Sequence, residues 1–219
     1  MVDRQQLEQA IIAQESLRGN VDDSIIDASI RALRKQLAEL ESSSQDERRK
    51  QVTVVFADLA GFTAMSERLD PEEVRAIQQA YFSAVTPAIK KYGGAVEKYI
   101  GDAVLAVFGL PQAQENDPEN AIRAVLEMQA AVGELNNSLF SQTGLELSLR
   151  IGVNTGMVLA TVRQEEFDFL VTGDPVNMAS RLESAAPKGG VLISHSTYRH
   201  IEGLFEVKVL KPILVKGKV

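Results

Sequence analysis

The chain of 219 residues has no cysteine, only two histidines and few aromatic residues, which make up 5% of it. The lack of cysteine excludes a disulfide framework, a thiolate nucleophile and a cysteine-ligated zinc site. Redox roles of a protein thiol are excluded with them, and a reducing, cytoplasmic setting is expected. The histidines, His195 and His200, are isolated in the sequence, so we assign them no role.

Long apolar runs and an excess of positive charge are also absent. No run approaches the ~20 residues that span a bilayer, so no membrane segment is expected here. The net charge is −7, and no basic stripe alternates with aromatic residues, which argues against a nucleic-acid partner. The chain does have 45% hydrophobic residues, enough for one substantial core and an additional element.

The pattern of residues 1–45 predicts two helices, separated at Gly19-Asn20, that form an N-terminal helical and dimerisation segment with a linker. The second helix carries an apolar seam with alternating steps of four and three, made of Ile26, Ile30, Leu33, Leu37 and Leu40. Two interpretations stay open, because such a seam can pack on its own domain or form a short dimeric coiled coil. The polar stretch 42–50 is predicted to be the linker.

The pattern of residues 46–219 predicts an α+β domain in which helices pack on a sheet. Proline directly after a capping aspartate marks helix starts, as at Asp70-Pro71 and Asp174-Pro175. The predicted elements are a strand at 52–58, a helix at 63–92, a strand hairpin at 95–108, a helix at 118–137, a strand at 147–154, a less certain strand pair, a helix at 175–185 and a strand at 190–194.

Two aspartates lie where predicted strands end. Asp58 closes the first strand, and Asp102 follows Gly101 in the tight turn of the hairpin. Mg²⁺ prefers one or two carboxylates together with substrate phosphates, so this pair is a candidate metal site for nucleotide chemistry. Taken singly, Asp58 is better explained as a helix cap or a solvated loop residue, and Asp102 as an Asx turn.

Phosphate-binding and cationic residues accompany these aspartates. Gly61-Phe62-Thr63 opens a helix, where free backbone N–H groups bind phosphate. The chain contains neither GxxxxGK[ST] nor GxGxxG, so a P-loop or Rossmann site is excluded. In the hairpin, a period of two places Lys98 on the same face as Val96 and Ile100. A lysine that packs against apolar neighbours while its ammonium reaches water is the alternative interpretation.

Asn177 and Arg181 lie four residues apart near the start of a predicted helix and so share a face. The planar, permanently charged guanidinium of arginine suits a phosphoryl group in transfer. The alternative interpretation is a surface Arg181 paired with Glu183 or Glu146. Near the end of the chain, Lys216 and Lys218 flank Gly217 in an apolar strand.

These residues lie in five stretches, VTVVFADLAGFTAMSE, VEKYIGDAVLAVFG, LRIGVNTG, VTGDPVNMASRLE and VKGK. In this order the stretches resemble the class III nucleotidyl cyclases, specifically bacterial adenylyl cyclases, over residues 49–219. The resemblance implies a ferredoxin-like, palm-type sheet with flanking helices. It also implies conversion of ATP to 3′,5′-cyclic AMP and pyrophosphate in a head-to-tail homodimer with two shared active sites. The chain ends at KGKV, where the family usually continues into a final strand, so the sequence is expected to be a fragment in which the last strand is truncated.

The resemblance also implies the roles of single residues. Asp58 and Asp102 match the two metal-binding aspartates, and Leu59 matches the position that offers a backbone carbonyl to one ion. Two Mg²⁺ or Mn²⁺ ions per active site are therefore implied. The triphosphate-binding turn matches Gly61, Phe62 and Thr63.

Other positions match the groups that bind the base and stabilise the transition state. Lys98 matches the lysine that contacts adenine, where guanylyl cyclases carry glutamate. Asn177 and Arg181 match the pair that orients the ribose and meets the α-phosphate, and Lys216 matches the lysine for the terminal phosphates. One position departs from the pattern: the second adenine-contacting residue, usually Asp or Thr, is Leu170. Because leucine cannot hydrogen-bond a base, we expect a softened preference for ATP.

Two alternatives to an adenylyl cyclase remain. A guanylyl or relaxed-specificity cyclase is the nearer one, and Lys98 is the residue that argues against it. The other is an inactive nucleotide-binding dimerisation module that signals through its N-terminal helices, against which the complete set of matched residues argues. A diguanylate cyclase is disfavoured because the hairpin turn contains no GGDEF-like sequence.

Overall fold

The computed structural model describes residues 4–19, 23–43, 47–143, 145–162 and 169–211. They belong to two compact units, one within residues 1–47 and 161–168 and the other within 48–160 and 169–219. None of the helices in these described ranges has the length and apolar character needed to cross a membrane. The division of the chain at residue 45, made from the sequence, stays a prediction.

The first unit contains helices α1 (Arg4–Glu15) and α2 (Asp23–Ser43), which pack against each other. Gly19, whose φ is 89°, lies in the predicted break between them. Ile26 and Ile30 of the apolar seam are buried, and Arg18 pairs with Asp27 at 2.6 Å. The side chains of Leu37 and Leu40 lie outside the described part of the structure, so a coiled coil made by this seam stays a prediction.

The predicted linker at 42–50 is wrong at both ends. Helix α2 continues to Ser43, and strand β1 already begins at Glu47. Polar and charged residues can extend a strand beyond its buried part, since only the centre of the strand needs apolar side chains on both faces. Composition alone therefore placed the start of the strand too late.

The second unit alternates strands and helices as predicted, with differences at the ends of elements. The predicted helix at 63–92 is two helices, because Asp70-Pro71 starts a new one. The strand predicted at 147–154 continues to Val162. The elements are β1 (Glu47–Leu59), α3 (Phe62–Ser66), α4 (Pro71–Lys91), β2 (Ala95–Ile100), β3 (Ala103–Phe108), α5 (Asp117–Thr143), β4 (Leu149–Val162), β5 (Phe169–Thr172), α6 (Asp174–Ala185), β6 (Val191–Ile193) and α7 (His195–Ile201).

The strands form one sheet in the order β2-β3-β1-β4-β5, and β6 pairs with β4 in parallel. Strand β3 runs antiparallel to both β1 and β2. Alternation along β1 sends Val55, Ala57 and Leu59 into a core under α4 and α5. It sends Val52 and Val54 into a second core on the opposite face. The α+β class predicted from the sequence is confirmed.

Candidate active site

Asp58 and Asp102 are brought together at one end of the sheet. Asp58 is the penultimate residue of β1, and Asp102 lies in the turn between β2 and β3. The turn bends through Gly101, whose φ of 63° favours glycine. The side-chain amide of Gln78 on α4 donates a hydrogen bond to the Gly101 carbonyl, so the turn is tied to the helix beneath it.

Contact between the two carboxyl groups changes the acid chemistry of Asp102. Burial and a hydrogen bond to Asp58, together with the charge of Asp58, raise the pKa of Asp102 to about 7, from an ordinary 3.8. Backbone N–H groups of Asp102 and Leu59 oppose the shift. Without a cation Asp102 therefore keeps its proton up to about pH 7, because ionising both carboxyl groups places two negative charges in contact.

This pair fits a divalent cation better as part of a substrate complex than as a complete protein cage. The described residues hold no cluster of three or more His, Asp or Glu side chains that could bind a metal ion. Mg²⁺ typically takes one or two carboxylates and completes its shell with water and substrate phosphates. Asp58 and Asp102 supply that number of carboxylates, and a cation would replace the proton of Asp102. The role of the Leu59 carbonyl stays a prediction.

An ion-pair chain that the sequence reasoning missed lies behind Asp58. Arg150 on β4 places its Nη2 atom 3.7 Å from Asp58 Oδ2 and its Nε atom 3.5 Å from Glu183 Oε1. Glu183 on α6 is almost completely buried. Burial, followed by the charge of Asp58, raises the pKa of Glu183. Part of the signal was present in the sequence, since Arg150 is a charged residue between Leu149 and Ile151 in a predicted strand.

Tyr81 on α4 faces the same carboxylates from the other side of the sheet. The side chain is completely buried, and its hydroxyl has no hydrogen-bond partner among the described residues. Burial raises the pKa of Tyr81, and the charges of Asp58 and Asp102 raise it further. The phenol therefore stays protonated next to the metal candidate site.

The predicted triphosphate turn lies directly after β1. Gly61 adopts a left-handed conformation, with φ 84° and ψ 13°, and precedes α3. Phe62 packs against the core under α4 and α5, while Thr63 is exposed. The turn is thus fixed in place by an apolar anchor, three residues after Asp58. Its binding of phosphate stays a prediction.

Lys98 lies on a different face from the one predicted, because β2 contains a bulge. The register pairs Val96 with Ala106 but Lys98 with Leu105, so Glu97 is an extra residue. Val96 therefore packs towards the core under α4 and α5. Lys98 lies instead on the side of Leu105, in the second core. The alternation of side chains along a strand is interrupted at a bulge, and no local pattern in the sequence indicated this bulge.

Leu170 of β5 lies near this part of β2. Its side chain is 44% exposed, and β2 contacts β5 although the two strands are at opposite ends of the sheet order. Glu97 of β2 accepts a hydrogen bond from the N–H of Val171 at 3.5 Å. The two positions expected to contact a base are therefore on adjoining strands.

Helix α6 separates the predicted transition-state pair from the aspartates of its own chain. Its buried residues are Pro175, Ala179 and Glu183, each four apart. Asn177 and Arg181 are two residues away from Ala179, which is about 200° around a helix. Asn177 is exposed, Arg181 is partly exposed, and no ion pair joins Arg181 to another described residue. The alternative pairing of Arg181 with Glu183 is not observed, since Glu183 pairs with Arg150.

The close approach of α6 to the sheet depends on Gly152 of β4. A Cβ atom added there would overlap the Ala179 carbonyl and the Glu183 amide, and would lie 2.9 Å from Leu182 Cβ. The glycine thereby sets the height of the helix that carries Asn177 and Arg181. Lys216 lies outside the described residues, so its place relative to this site stays a prediction.

A cavity of about 1330 Å³ lies elsewhere in this unit, between α5, α6, β6 and residues 205–211. Its lining contains neither of the paired aspartates nor Lys98. The carboxylate pair, by contrast, lies at the end of β1. The chemistry therefore identifies the candidate site, and the cavity does not.

Comparison with known proteins places this geometry in a family. Residues 44–219 match the adenylate and guanylate cyclase catalytic domain. An adenylate cyclase of Anabaena cylindrica is 33% identical over 180 residues, which are 77% of this chain and 35% of that protein. Adenylate cyclase 1 of Rhizobium meliloti is 31% identical over 175 residues, 78% of this chain and 26% of that protein. The chain thus spans about a third or less of these curated relatives.

Solved structures of both activities are similar to this fold. The adenylyl cyclase CyaB from P. aeruginosa aligns with a TM-score of 0.73 and 34% identity, covering 79% of this chain and 91% of that one. The guanylyl cyclase Cya2 aligns with the same TM-score and 32% identity, covering 78% and 88%. The order of the sheet, the paired aspartates and the family match agree, and this chain belongs to the family of adenylate and guanylate cyclase catalytic domains, the class III nucleotidyl cyclases.

Proposed function

We propose that this domain is an adenylyl cyclase, which converts ATP to 3′,5′-cyclic AMP and pyrophosphate in a homodimer with two shared active sites. The contact between Asp58 and Asp102 carries the proposal, because two carboxyl groups in contact form the oxygen donor set for a phosphate-bound divalent cation. Lys98 supports adenine as the base. A cytoplasmic location, where ATP is available, belongs to the same proposal.

In the proposed reaction the ribose 3′-hydroxyl loses its proton to solvent, and its oxygen attacks the α-phosphorus. A new P–O bond forms, and the bond to the pyrophosphate oxygen breaks. Bound Mg²⁺ or Mn²⁺, two ions per site, supplies Lewis-acid activation of the hydroxyl and neutralises phosphate charge. Asp58 and Asp102 hold the metal-binding end of the site. Arg181 donates hydrogen bonds to the oxygens of the α-phosphoryl group as charge develops, and Asn177 orients the ribose.

The opposite directions in which these groups face support the proposal of a shared site. Asp58 lies on the side of the buried Glu183 of α6, through Arg150. Arg181 faces away from that side. A second copy of the chain can bring its Arg181 to the aspartates of the first. Large apolar side chains exposed in this unit provide surface for such contact, among them Tyr99, Ile100, Met157, Leu159 and Leu170.

The direct test is an assay of the purified protein with ATP or GTP and with Mg²⁺ or Mn²⁺, in which the cyclic product is identified by mass. Cyclic AMP as the main product supports the proposal. Cyclic GMP formed faster than cyclic AMP would instead identify the domain as a guanylyl cyclase. Nucleotide binding without a cyclic product would favour the inactive module.

Complementation tests the shared site. Asp58→Ala and Arg181→Ala should each be inactive alone, the second through a loss of about 10² to 10³ in turnover. When the two variants are mixed in equal amounts, half of the dimers contain one chain of each variant. Each of these dimers keeps one of its two sites intact, so about a quarter of wild-type activity returns.

The control mixes Asp58→Ala with Asp102→Ala, which damage the same half of the site and should not complement. Formation of mixed dimers is verified by co-purification of two differently tagged chains. Mixed dimers of Asp58→Ala and Arg181→Ala that stay inactive would exclude the shared-site arrangement.

A further inference from the structure

The bulge in β2 places the side chains of two consecutive residues on the same side of the strand. In a regular strand Glu97 and Lys98 would face opposite ways. With Glu97 as the extra residue of the bulge, Glu97 Oε1 lies 3.0 Å from Lys98 Nζ. A bulge can turn the side chains of neighbouring residues in a strand towards the same side. The bulge is therefore what allows Glu97 to contact the predicted base-recognition lysine.

The two members of this ion pair differ sharply in burial. The side chain of Glu97 is 2% exposed, whereas that of Lys98 is 44% exposed. Glu97 Oε1 also accepts the Val171 N–H of β5, and Glu97 Oε2 is buried without a hydrogen-bond partner among the described residues. A buried carboxylate is costly unless it is paired, and removing one partner leaves the other charge uncompensated. Glu97 is thus a fixed anion beneath a more exposed cation.

Lysine needs such an anchor to select a base. Its ammonium ion is a point charge on a flexible four-carbon chain, so it has no preferred direction of its own. The neighbouring base-contact position, Leu170, has no group that could fix the ammonium or bind a base. Glu97 contacts both strands, through the Lys98 ammonium on β2 and through the Val171 amide on β5.

We propose that Glu97 is a positioning residue for base selection, which holds the Lys98 ammonium and the β5 backbone in one arrangement without touching the base. This inference rests on the proposed cyclase function. A directed ammonium donates to the acceptor that adenine presents on its Watson–Crick edge. A released ammonium also reaches the carbonyl oxygen of guanine, so the loss of Glu97 should weaken discrimination more than it weakens turnover.

The experiment compares Glu97→Gln with the wild type through kcat and KM for ATP and for GTP. The amide keeps the shape and the acceptor for Val171 N–H but loses the charge. We expect kcat for ATP to stay within about twofold, and the ratio of kcat/KM for ATP to that for GTP to fall about five- to tenfold. Glu97→Asp, which keeps the charge but is one methylene shorter, should lower the ratio by a smaller factor.

Two controls separate positioning from a general structural role. Glu134→Gln removes the same charge from an exposed position on α5 and should leave the ATP to GTP ratio unchanged. In a Lys98→Ala background, Glu97→Gln should change the ratio no further, because Glu97 acts only through Lys98. Thermal melting of each variant shows whether it is folded under the assay conditions.

The inference is overturned if folded Glu97→Gln keeps the wild-type ratio, or if the double variant loses discrimination beyond Lys98→Ala. Either result leaves the cyclase proposal intact, provided that the wild type makes a cyclic nucleotide. Discrimination between the bases is measured independently by the ratio of the Kd values for non-hydrolysable ATP and GTP analogues. A wild type that neither binds these analogues nor makes a cyclic product would refute the function and the inference together.

Discussion

The contact between Asp58 and Asp102 predicts that the carboxylate of Asp102 destabilises the metal-free fold. Replacing Asp102 by asparagine keeps the shape of the side chain and removes one of the two charges. In the native protein burial and the contact with Asp58 raise the pKa of Asp102 to about 7. In the unfolded chain the contact is lost, and the pKa returns to its ordinary 3.8.

The sign and size of the effect follow from this difference. Between about pH 4 and pH 7 the native state binds a proton that the unfolded state has released, so stability falls as the pH rises. A rise in pKa from 3.8 to about 7 corresponds to at most about 4 kcal/mol, which solvent screening at this partly exposed pair reduces to about 1–2 kcal/mol. At pH 8 Asp102→Asn should therefore be more stable than the wild type, by about 2–8 °C in Tm.

The assay is thermal unfolding in chelator-treated buffer at pH 4.5 and at pH 8. The gain of Asp102→Asn should be present at pH 8 and nearly absent at pH 4.5, where the wild-type carboxyl is protonated. Glu134→Gln, an exposed carboxylate on α5, serves as the control and should show no such dependence. Adding Mn²⁺ at about 100 times its Kd should stabilise the wild type by about 2.7 kcal/mol and the variant much less. An Asp102→Asn protein that melts below the metal-free wild type at pH 8 would refute the reasoning.

Two further predictions concern packing. Gly152→Ala should lower cyclase turnover, and it should lower stability by about 1–3 kcal/mol, because the added methyl group displaces α6. The control is Gly133→Ala in α5, where a Cβ meets nothing within 4 Å. It should be neutral or stabilising in the same melting experiment. Ile30→Asp puts a charge at a buried position of α2, so it should alter dimerisation, measured by sedimentation, or the basal rate of product formation. Ile12→Asp, at an exposed position of α1, should change neither. Unchanged dimerisation and rate in Ile30→Asp would reject a role of the seam in dimerisation.

Much of the fold could be predicted because its signals are local. The hairpin at 95–108 was found from two apolar runs and a Gly101-Asp102 turn, and it is present with those bounds. The apolar stripe of α4, from Ile77 to Ile89, is buried as its period of 3.6 predicts. Errors occurred where local signals are weak, as at the polar start of β1.

The candidate site was predicted in its parts but not in its connections. Asp58 and Asp102 were paired from the sequence, since both lie where a predicted strand stops. The links from Asp58 through Arg150 to Glu183 were not predicted. They join β1, β4 and α6, and nothing within a short window of sequence shows which charged residues meet across that distance.

The sequence by itself determined the chemistry that the site can perform, because residue identity sets which atoms can hold a cation, donate to a phosphate or contact a base. It also determined the local elements, since helix and strand periods are written in neighbouring residues. Only the tertiary structure decided which way the side chains of the site face. A bulge turned Lys98 onto the side of Glu97, and the buried stripe of α6 turned Arg181 away from the aspartates. Such directions depend on the register between distant segments, which is settled by packing over the whole sheet.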